Sequence, residues 1–333
     1  MLYLPHHSSD KIALYFNLIK NKIILARKAS SLDKTAIDYL TDMKIEQIIF
    51  SKPQKLLEFH KEIISKLFVG ASIREYKEYC LIKNKNEANR LPQEILIYNR
   101  YYPHIEELKK VFNYNDFITR HKITSYKLAE ILNQNTCVYC NRLYTSTVVV
   151  KDEVTNRVND STRIMRPTYD HWYSKSKYPV LSLSFYNLIP SCSVCNTSVK
   201  GDTEFSMIKH IHPYKKENNQ DFKFNYIYKD VHKNNVVIDF PNQSKIGRTL
   251  KDLKIKDIYN GHSEYELKDL LELRYKYSEN YLDTLFNKTF DIHIGKKELY
   301  RLIFGIEPKE VNFHKRPFSK FKKDILEKLG IKV

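Results

Sequence analysis

The segments CVYC (137–140) and CSVC (192–195) decide the fold of this chain, because each is a CxxC pair. Two such knuckles supply four thiolates, which is the ligand set of a closed tetrahedral zinc site. The spacer between them is longer than the roughly 15–20 residues of a simple zinc ribbon, so further structure must fold between the knuckles. The predicted zinc ligands are Cys137, Cys140, Cys192 and Cys195.

Two alternatives to zinc stay open at this point. The cysteines could form a redox pair, or they could be unrelated buried thiols. We expect a cytoplasmic location, where disulfides are disfavoured, and this favours metal binding. The fifth cysteine, Cys80, stands apart from both knuckles and is predicted to be an ordinary buried thiol.

The composition bounds the class of protein. With 333 residues, 42% of them hydrophobic, the chain can bury real cores and is long enough for two or three compact units. It has only 7 glycines and neither GxxxxGK[ST] nor GxGxxG, which argues against a glycine-rich phosphate loop. No run approaches the ~18 apolar residues of a membrane span, and the start, MLYLPHHSSDK, lacks a secretory signal pattern. We therefore expect a soluble cytoplasmic protein without a membrane partner.

The formal charge of +17, from 56 Lys+Arg against 39 Asp+Glu, indicates an anionic partner such as nucleic acid. A lysine-rich composition that only keeps the protein soluble explains this charge equally well, because the lysines are dispersed along the chain. Aromatic residues alternate with lysine, as in FKFNYIYKD (222–230). Such segments suit base stacking beside phosphates or, alternatively, an ordinary core.

Residues 1–130 are predicted to be a mainly helical region for recognition or partner docking. In SKPQKLLEFHKEIISKLF (51–68), Ser51 and Gln54 suit a capping box. Three prolines are expected to separate the helices, namely Pro53, Pro92 and Pro103. The apolar face of the helix after the capping box is predicted to contain Leu56, His60, Ile63, Ile64 and Leu67.

The middle region, residues 131–215, is predicted to hold the cysteine-bearing core. Two β-rich runs, 142–150 and 162–169, flank the polar segment DEVTNRVNDS (152–161), and this pattern predicts a hairpin. The second knuckle leads into a short helix that we expect to end near Gly201.

The C-terminal region, residues 216–333, is predicted to be a second hairpin followed by helices. Its strands are 222–230 and 235–240, with the turn around Asn234 and Asn235. One face of a long helix is predicted to contain Leu267, Leu270, Leu271, Tyr275, Ser278, Tyr281, Leu282 and Leu285. The predicted fold class is therefore α+β, a mainly helical chain with an embedded core that carries the cysteines.

Residues suited to phosphodiester hydrolysis lie between and beside the knuckles. That reaction needs an activated water and a cation for the charge on the leaving oxygen. Asp170 is a hard oxygen donor, and its neighbour His171 can point the opposite way on an extended segment and act as a general base when neutral. Asn196 directly follows the last cysteine and can give an amide oxygen to the same cation.

The stretch CVYC…YDHWYSKSKYPVLSLSFYNLIPSCSVCNTSVKGD resembles the zinc-stabilised branch of the HNH endonucleases, the ββα-metal nucleases, over about residues 136–202. The resemblance implies a ββα-metal core in which four cysteines hold a structural Zn²⁺. It also implies that Asp170 and Asn196 hold a catalytic Mg²⁺ or Mn²⁺. His171 would be the general base, and Asn187 would fix the loop that orients it. The third residue of the family motif is here Asn rather than His, which leaves the metal preference open.

A structural role is the alternative for each of these residues. His171 could be a hydrogen-bonded structural histidine, Asp170 could stabilise a turn, and Asn196 could only cap the helix. Asn187 is expected to be structural in either case, and Trp172 is expected to pack rather than to stack on a base. Two histidines close to the motif could add a contact or be structural, namely His210 and His212. Four cations are candidates for phosphate contacts, namely Arg166, Lys175, Lys177 and Lys200.

The resemblance implies a metal-dependent endonuclease that cuts DNA. The alternatives are a zinc-stabilised, non-catalytic nucleic-acid-binding module and an RNA-cleaving nuclease. The order of core, strands and YNGH (259–262) before a long helix is similar to stand-alone bacterial HNH proteins of anti-phage defence. Some of those act beside an ATPase, as in Septu-type systems, which implies an ATPase or another defence subunit as partner. A restriction or mobile-element nuclease is the alternative role.

Overall fold

Helices build the N-terminal part of the chain, as the apolar periodicity predicts. The computed structural model describes residues 1–70, 72–153, 155–218, 221–230, 233–276, 284 and 296–331. The first helices are α1 (Ser9–Lys28), α2 (Lys34–Tyr39), α3 (Asp42–Phe50), α4 (Leu56–Leu67), α5 (Ile73–Ile82), α6 (Pro92–Val111) and α7 (Lys122–Leu132). The predicted apolar face of α4 is confirmed, because its buried residues are Leu56, His60, Ile63, Ile64 and Leu67.

The predicted capping box of Ser51 and Gln54 is wrong. Ser51 follows the end of α3, and its hydroxyl donates to the Lys52 carbonyl at 3.4 Å. Helix α4 begins only at Leu56 and has no side-chain cap. The N–H of Lys55 donates to the Lys52 carbonyl at 2.9 Å, and the turn that this bond closes separates the two helices.

Pro103 does not separate two helices, contrary to the prediction. It lies inside α6, whereas Pro53 and Pro92 do lie at helix boundaries. Tyr101 and Ile105, on either side of Pro103, are fully buried in the core. Burial of this face therefore outweighs the roughly 3 kcal/mol that a proline costs inside a helix.

The first predicted hairpin exists, but it is much shorter than expected. Strand β1 (Val148–Val149) pairs antiparallel with β2 (Arg163–Met165), so only parts of the runs 142–150 and 162–169 are strands. Pro167 divides the second run, because proline cannot donate to a strand ladder. The residues after it begin a strand that pairs elsewhere.

That next strand carries the candidate site. Strand β3 (Thr168–His171) pairs antiparallel with β4 (Leu188–Ser191), and Asp170 lies opposite Ile189. All four residues of β4 are buried. The pair therefore fixes the backbone of the predicted catalytic residues in the interior of the protein.

A short helix follows β4 and completes a strand–strand–helix unit. This knuckle helix (Val194–Lys200) contains the last cysteine and ends at Gly201, as predicted. The φ angle of Gly201 is 45°, and a Cβ there would lie 3.1 Å from the Thr197 carbonyl oxygen. Glycine adopts positive φ without steric cost, which explains why the helix ends here.

The second predicted hairpin is confirmed, but its turn is not where the sequence placed it. Strand β5 (Lys223–Asp230) pairs antiparallel with β6 (Lys233–Asp239). Asn234 and Asn235 lie within β6, opposite residues of β5, rather than in the turn. Cross-strand pairing with aromatic and branched residues outweighs the turn preference of asparagine here.

Helices complete the C-terminal region. They are α8 (Lys245–Asp252), α9 (Ile255–Asn260), α10 (Lys268–Lys276), α11 (Lys296–Phe304) and α12 (Ser319–Lys328). Of the predicted amphipathic face, Leu267 and Leu270 are buried and Leu271 is half-buried, whereas Tyr275 is exposed, so its placement on the buried face is wrong. Four of its predicted residues lie outside the described part of the chain, namely Ser278, Tyr281, Leu282 and Leu285. None of the helices that the structure describes is long and apolar enough to cross a bilayer.

Asn141 joins the first knuckle to the C-terminal region. Its amide Nδ2 donates to Thr136 Oγ1 and to the Phe313 carbonyl, both at 2.9 Å, and its own carbonyl accepts from the Phe318 N–H at 2.7 Å. One buried apolar core includes residues from all three predicted regions, so the boundaries at 130 and 215 stay a prediction.

We expect Asn141→Ala to lower the free energy of unfolding by about 2–4 kcal/mol, measured by urea titration. The substitution leaves the Thr136 hydroxyl and the Phe313 carbonyl without this partner, and it places alanine at a φ of 49°. Asn133→Ala is the matched control, because Asn133 has a φ of 47° but an exposed side chain. It should cost only about 1 kcal/mol. Equal losses in the two variants would contradict a connecting role for Asn141.

Candidate metal centre and active site

The four predicted zinc ligands lie together in the interior. The Sγ atoms of Cys137, Cys140, Cys192 and Cys195 are all within 4.8 Å of one another, and all four residues are buried. A tetrahedral Zn²⁺ with Zn–S bonds of about 2.3 Å sets the sulfurs about 3.8 Å apart, so this donor set fits zinc after a small contraction. Hydrogen bonds among the four cysteines lower the pKa of Cys140 and raise the pKa of Cys195, so a metal that needs all four thiolates would release protons from this cluster when it binds.

Backbone hydrogen bonds shape both knuckles. In the first, the Asn141 N–H donates to the Cys137 carbonyl at 2.8 Å; in the second, the Cys195 N–H donates to Cys192 Sγ at 3.4 Å. The Val138 N–H donates to the Pro190 carbonyl at 3.2 Å, which joins the first knuckle to β4. Both knuckles are thereby fixed relative to the β3–β4 pair. Cys80, in α5, is buried and does not belong to this group.

Asp170 is buried between groups that come from both knuckles. Tyr139, which lies between two of the cysteines, donates its hydroxyl hydrogen to Asp170 Oδ2 at 2.6 Å. Lys200, at the end of the knuckle helix, has its Nζ 3.3 Å from the carboxylate and donates to the His171 carbonyl at 2.9 Å. Burial raises the pKa of Asp170, while the Lys200 ammonium and the Tyr139 hydroxyl oppose this rise. The geometry of the two knuckles therefore sets the surroundings of this carboxylate.

His171 is buried with different partners from those of Asp170. Its Nε2 donates to the Ser182 carbonyl at 2.9 Å, and its ring meets the Tyr114 ring edge-on with centroids 4.4 Å apart. Burial lowers the pKa of His171 to about 3, so the imidazole is neutral at pH 7. Because Nε2 carries the hydrogen, Nδ1 carries the lone pair. Among the residues that the structure describes, Nδ1 has no hydrogen-bond partner.

Asn187 fixes the loop between β3 and β4. Its Oδ1 accepts from the Tyr173 N–H at 2.7 Å, and its Nδ2 donates to the carbonyls of Tyr173 at 3.0 Å and Leu181 at 2.9 Å. The residue after Leu181 is Ser182, whose carbonyl accepts a hydrogen bond from His171 Nε2. Asn187 thus contacts the loop that contains Ser182, and its role in orienting a catalytic His171 stays a prediction.

Asn196 shares the knuckle helix with Lys200, four residues earlier. Lys200 reaches β3, where its Nζ contacts Asp170 and the His171 carbonyl. The Asn196 side chain is half-buried and makes no hydrogen bond to the described residues, while its N–H donates to the Cys192 carbonyl at 3.0 Å. That Asn196 and Asp170 bind one cation therefore stays a prediction.

The four cations predicted to contact phosphates have different environments. Lys200 is expected on the surface. In the structure it lies in the interior, where its ammonium pairs with the Asp170 carboxylate. Lys177 pairs with Glu204 at 2.8 Å. The Arg166 guanidinium donates to the adjacent Pro167 carbonyl at 2.8 Å, whereas Lys175 donates to Asn115 Oδ1 at 2.7 Å.

The residues expected to be structural pack in the interior. Trp172 is 1% exposed, which removes base stacking as its role. Its ring lies 4.6 Å from the ring of His212. His210 pairs with Asp252 at 2.9 Å and its Nδ1 accepts from the Ser206 N–H. Neither histidine belongs to a group of possible metal ligands within the described ranges.

Sequence reasoning missed three residues that surround the predicted catalytic pair. Tyr139 could have been found, because it lies between two cysteine ligands. Tyr114 and Ser182 could not, because their contacts with His171 depend on how the N-terminal helices pack against the β3–β4 loop. Comparison of the chain with models of protein families, with curated proteins and with solved structures found no match.

Purified protein is expected to contain about one zinc per chain by elemental analysis. Cys140→Ser should lose the metal and unfold at a lower temperature, because three sulfurs do not close a tetrahedral site. Cys80→Ser is the matched control, since Cys80 is also buried but lies apart from the four sulfurs, and it should keep the zinc. Zinc retained by Cys140→Ser, or absent from the unmodified protein, would contradict the assignment.

A double-mutant cycle tests the buried ion pair of Asp170 and Lys200. Their side chains are only 5% and 3% exposed, so Lys200→Met leaves a buried carboxylate without its cation and should cost about 3–5 kcal/mol in urea titration. Adding Asp170→Asn should recover a large part of this loss. Lys127→Met is the control, because the exposed Lys127–Glu130 pair should contribute no more than about 1 kcal/mol. Strictly additive effects of the two buried substitutions would show that the pair is not coupled.

Proposed function

We propose that this chain is a metal-dependent endonuclease of the HNH type that hydrolyses phosphodiester bonds in DNA. One observation carries the proposal. Asp170 and His171 are neighbours on β3 with separate sets of partners, and groups from both cysteine knuckles hold the Asp170 carboxylate. A carboxylate that could hold a cation and an imidazole that could take a proton from water are thereby held on adjacent residues of one strand, and hydrolysis of a phosphodiester uses both kinds of group.

His171 is the proposed general base. Its Nε2–H donates a hydrogen bond to the Ser182 carbonyl, so Nδ1 is the atom that takes a proton from the attacking water. Asn187 is a positioning residue, because it holds the backbone of the loop that contains Ser182. Burial keeps the imidazole neutral, and a pKa of about 3 also makes it a weak proton acceptor until a bound substrate or cation changes its surroundings.

Asp170 and Asn196 are the proposed ligands of a catalytic Mg²⁺ or Mn²⁺. A carboxylate and an amide are the hard oxygen donors that these ions prefer, so the donor set fits in its chemistry. When bound, such an ion stabilises the negative charge on the leaving oxygen. The Lys200 ammonium lies 3.3 Å from Asp170, so a divalent cation on this carboxylate would have to displace the lysine.

DNA is the proposed substrate because the chain carries a net charge of +17. A role in bacterial defence, beside an ATPase or another subunit, is part of the proposal and rests on the sequence resemblance. The neighbouring open reading frame tests it, since an ATPase there favours defence and a methyltransferase favours restriction. RNA is the alternative substrate. The plasmid-nicking assay described below distinguishes the two substrates when an RNA replaces the plasmid.

A non-catalytic, zinc-stabilised nucleic-acid-binding module is the second candidate. The observation in its favour is that Asp170 already has two partners, Tyr139 and Lys200, and needs no metal to be satisfied in the interior. In that case the ion pair is purely structural. The two candidates differ in whether the protein cuts the nucleic acid that it binds.

Nicking of a supercoiled plasmid with Mg²⁺ or Mn²⁺ separates the candidates. We expect cleavage by the unmodified protein and at least a roughly 100-fold lower rate for His171→Ala, because a general base contributes about 10²–10⁴-fold. His104→Ala is the control, since His104 lies on α6 against Asp33 and Phe68 and should not affect the rate. Equal rates for both variants would remove His171 as the base. Binding of the plasmid without cleavage in either metal would favour the second candidate.

A further inference from the structure

A cleft beside His171 has no role in the function proposed so far. Its volume is about 380 Å³, and it lies between the C-terminal end of α6 and the loop that follows β3. Two of its wall residues contact His171 directly, because the Ser182 carbonyl accepts from the imidazole and the Tyr114 ring packs against it. His171 itself does not line the cleft, so these two residues separate an occupant of the cleft from the imidazole of the proposed base.

The cleft has an ammonium without an acidic partner. Lys175 is half-buried in its wall, and its Nζ donates to Asn115 Oδ1 at 2.7 Å and lies 4.8 Å from the centre of the Tyr114 ring. None of the carboxylates in the described part of the chain forms an ion pair with Lys175. By contrast, the two lysines of α6 in the same wall pair with glutamates of their own helix. A half-buried cation that lacks a counter-charge at the mouth of a cleft favours an anionic ligand.

The surroundings add positive charge and an aromatic ring. Lys83 lies behind the wall, where its Nζ donates to the Ser176 carbonyl at 3.5 Å, and it neighbours Lys109. Tyr114 is half-buried and lines the cleft, so part of its ring meets the ligand. Phosphate contacts beside an aromatic surface are typical of sites that bind a single strand of nucleic acid.

The size of the cleft restricts the ligand further. Small-molecule pockets have volumes of about 300–1,000 Å³, and this cleft lies at the lower end of that range. It can accept one nucleotide but not a base pair within a duplex. Together with the charge of Lys175, this favours a nucleotide of a separated strand over the intact double helix.

We propose that this cleft binds one nucleotide of the cleaved strand, with its phosphate on the Lys175 ammonium and its base near Tyr114. The site rests on the proposed nuclease function, and it makes the C-terminal end of α6 part of the substrate-binding surface. Of the four cations predicted to contact phosphates, Lys175 is the one in this wall, whereas Lys177 and Lys200 pair with carboxylates. Lys175 is thus a binding residue beside the proposed base.

Binding of a fluorescent single-stranded DNA oligonucleotide, followed by anisotropy without added divalent cation, tests the site apart from cleavage. For Lys175→Met we expect about 5- to 10-fold weaker binding and a plot of log K against log salt that is shallower by about 0.7, because one phosphate contact is lost. Lys175→Arg should bind nearly as well as the unmodified protein, since it keeps the charge. The matched control is Lys256→Met, which removes an exposed lysine of α9 and should leave affinity and slope unchanged.

The affinities and salt slopes of the variants either support or overturn the proposed nucleotide site. If Lys175→Met and Lys256→Met have the same affinity and salt slope, the proposal is overturned. It is also overturned if Lys175→Met weakens binding of the matching duplex as much as that of the single strand, or if an acidic peptide of equal charge displaces the oligonucleotide equally well. A normal melting temperature for Lys175→Met shows that the variant is folded. Because no strand is cut in this assay, the two failures are distinguishable: an inactive plasmid-nicking result would disprove cleavage of the bound strand, whereas an unchanged affinity of Lys175→Met would disprove the nucleotide site.

Discussion

The gathering of four cysteine sulfurs into one buried cluster that could hold a metal ion is the constraint on which the candidate site depends. The first CxxC pair carries Tyr139 between its cysteines, and the second begins the helix that ends with Lys200. Both of these residues contact the same carboxylate, that of Asp170. A metal that holds the two knuckles together therefore also fixes the distance between the two groups that hold Asp170. This links the stability of the fold to the geometry of the proposed chemistry.

Two adjacent residues on β3, Asp170 and His171, have different electrostatic surroundings. Asp170 is buried beside an ammonium, so its negative charge is compensated. Burial disfavours the charged imidazolium of His171, although the hydrogen bond to the Ser182 carbonyl opposes this effect. The alternation of side chains along a strand separates these environments by a single residue. The N-terminal helices supply Tyr114 to the second environment, so they contribute to the site as well as to the core.

Patterns that depend on local chemistry could be predicted from the sequence. The paired cysteines, the buried face of α4, the two hairpins and the helix end at Gly201 all follow from spacing or from a single residue's conformational preference. Features that depend on tertiary packing could not. Pro103 lies within a helix because its neighbours are buried, and Lys200 is in the interior because a carboxylate there needs a cation. Neither cause is local in sequence.

X-ray absorption at the zinc edge of the purified protein tests the central claim most directly. The arrangement of the knuckles predicts a single shell of four sulfur atoms at about 2.3 Å from the ion. That result would place both CxxC pairs on one metal and would require Tyr139 and Lys200 to be positioned by it. A shell that mixes sulfur with nitrogen or oxygen, or one with two sulfurs only, would contradict the account, because the two knuckles would then not share an ion.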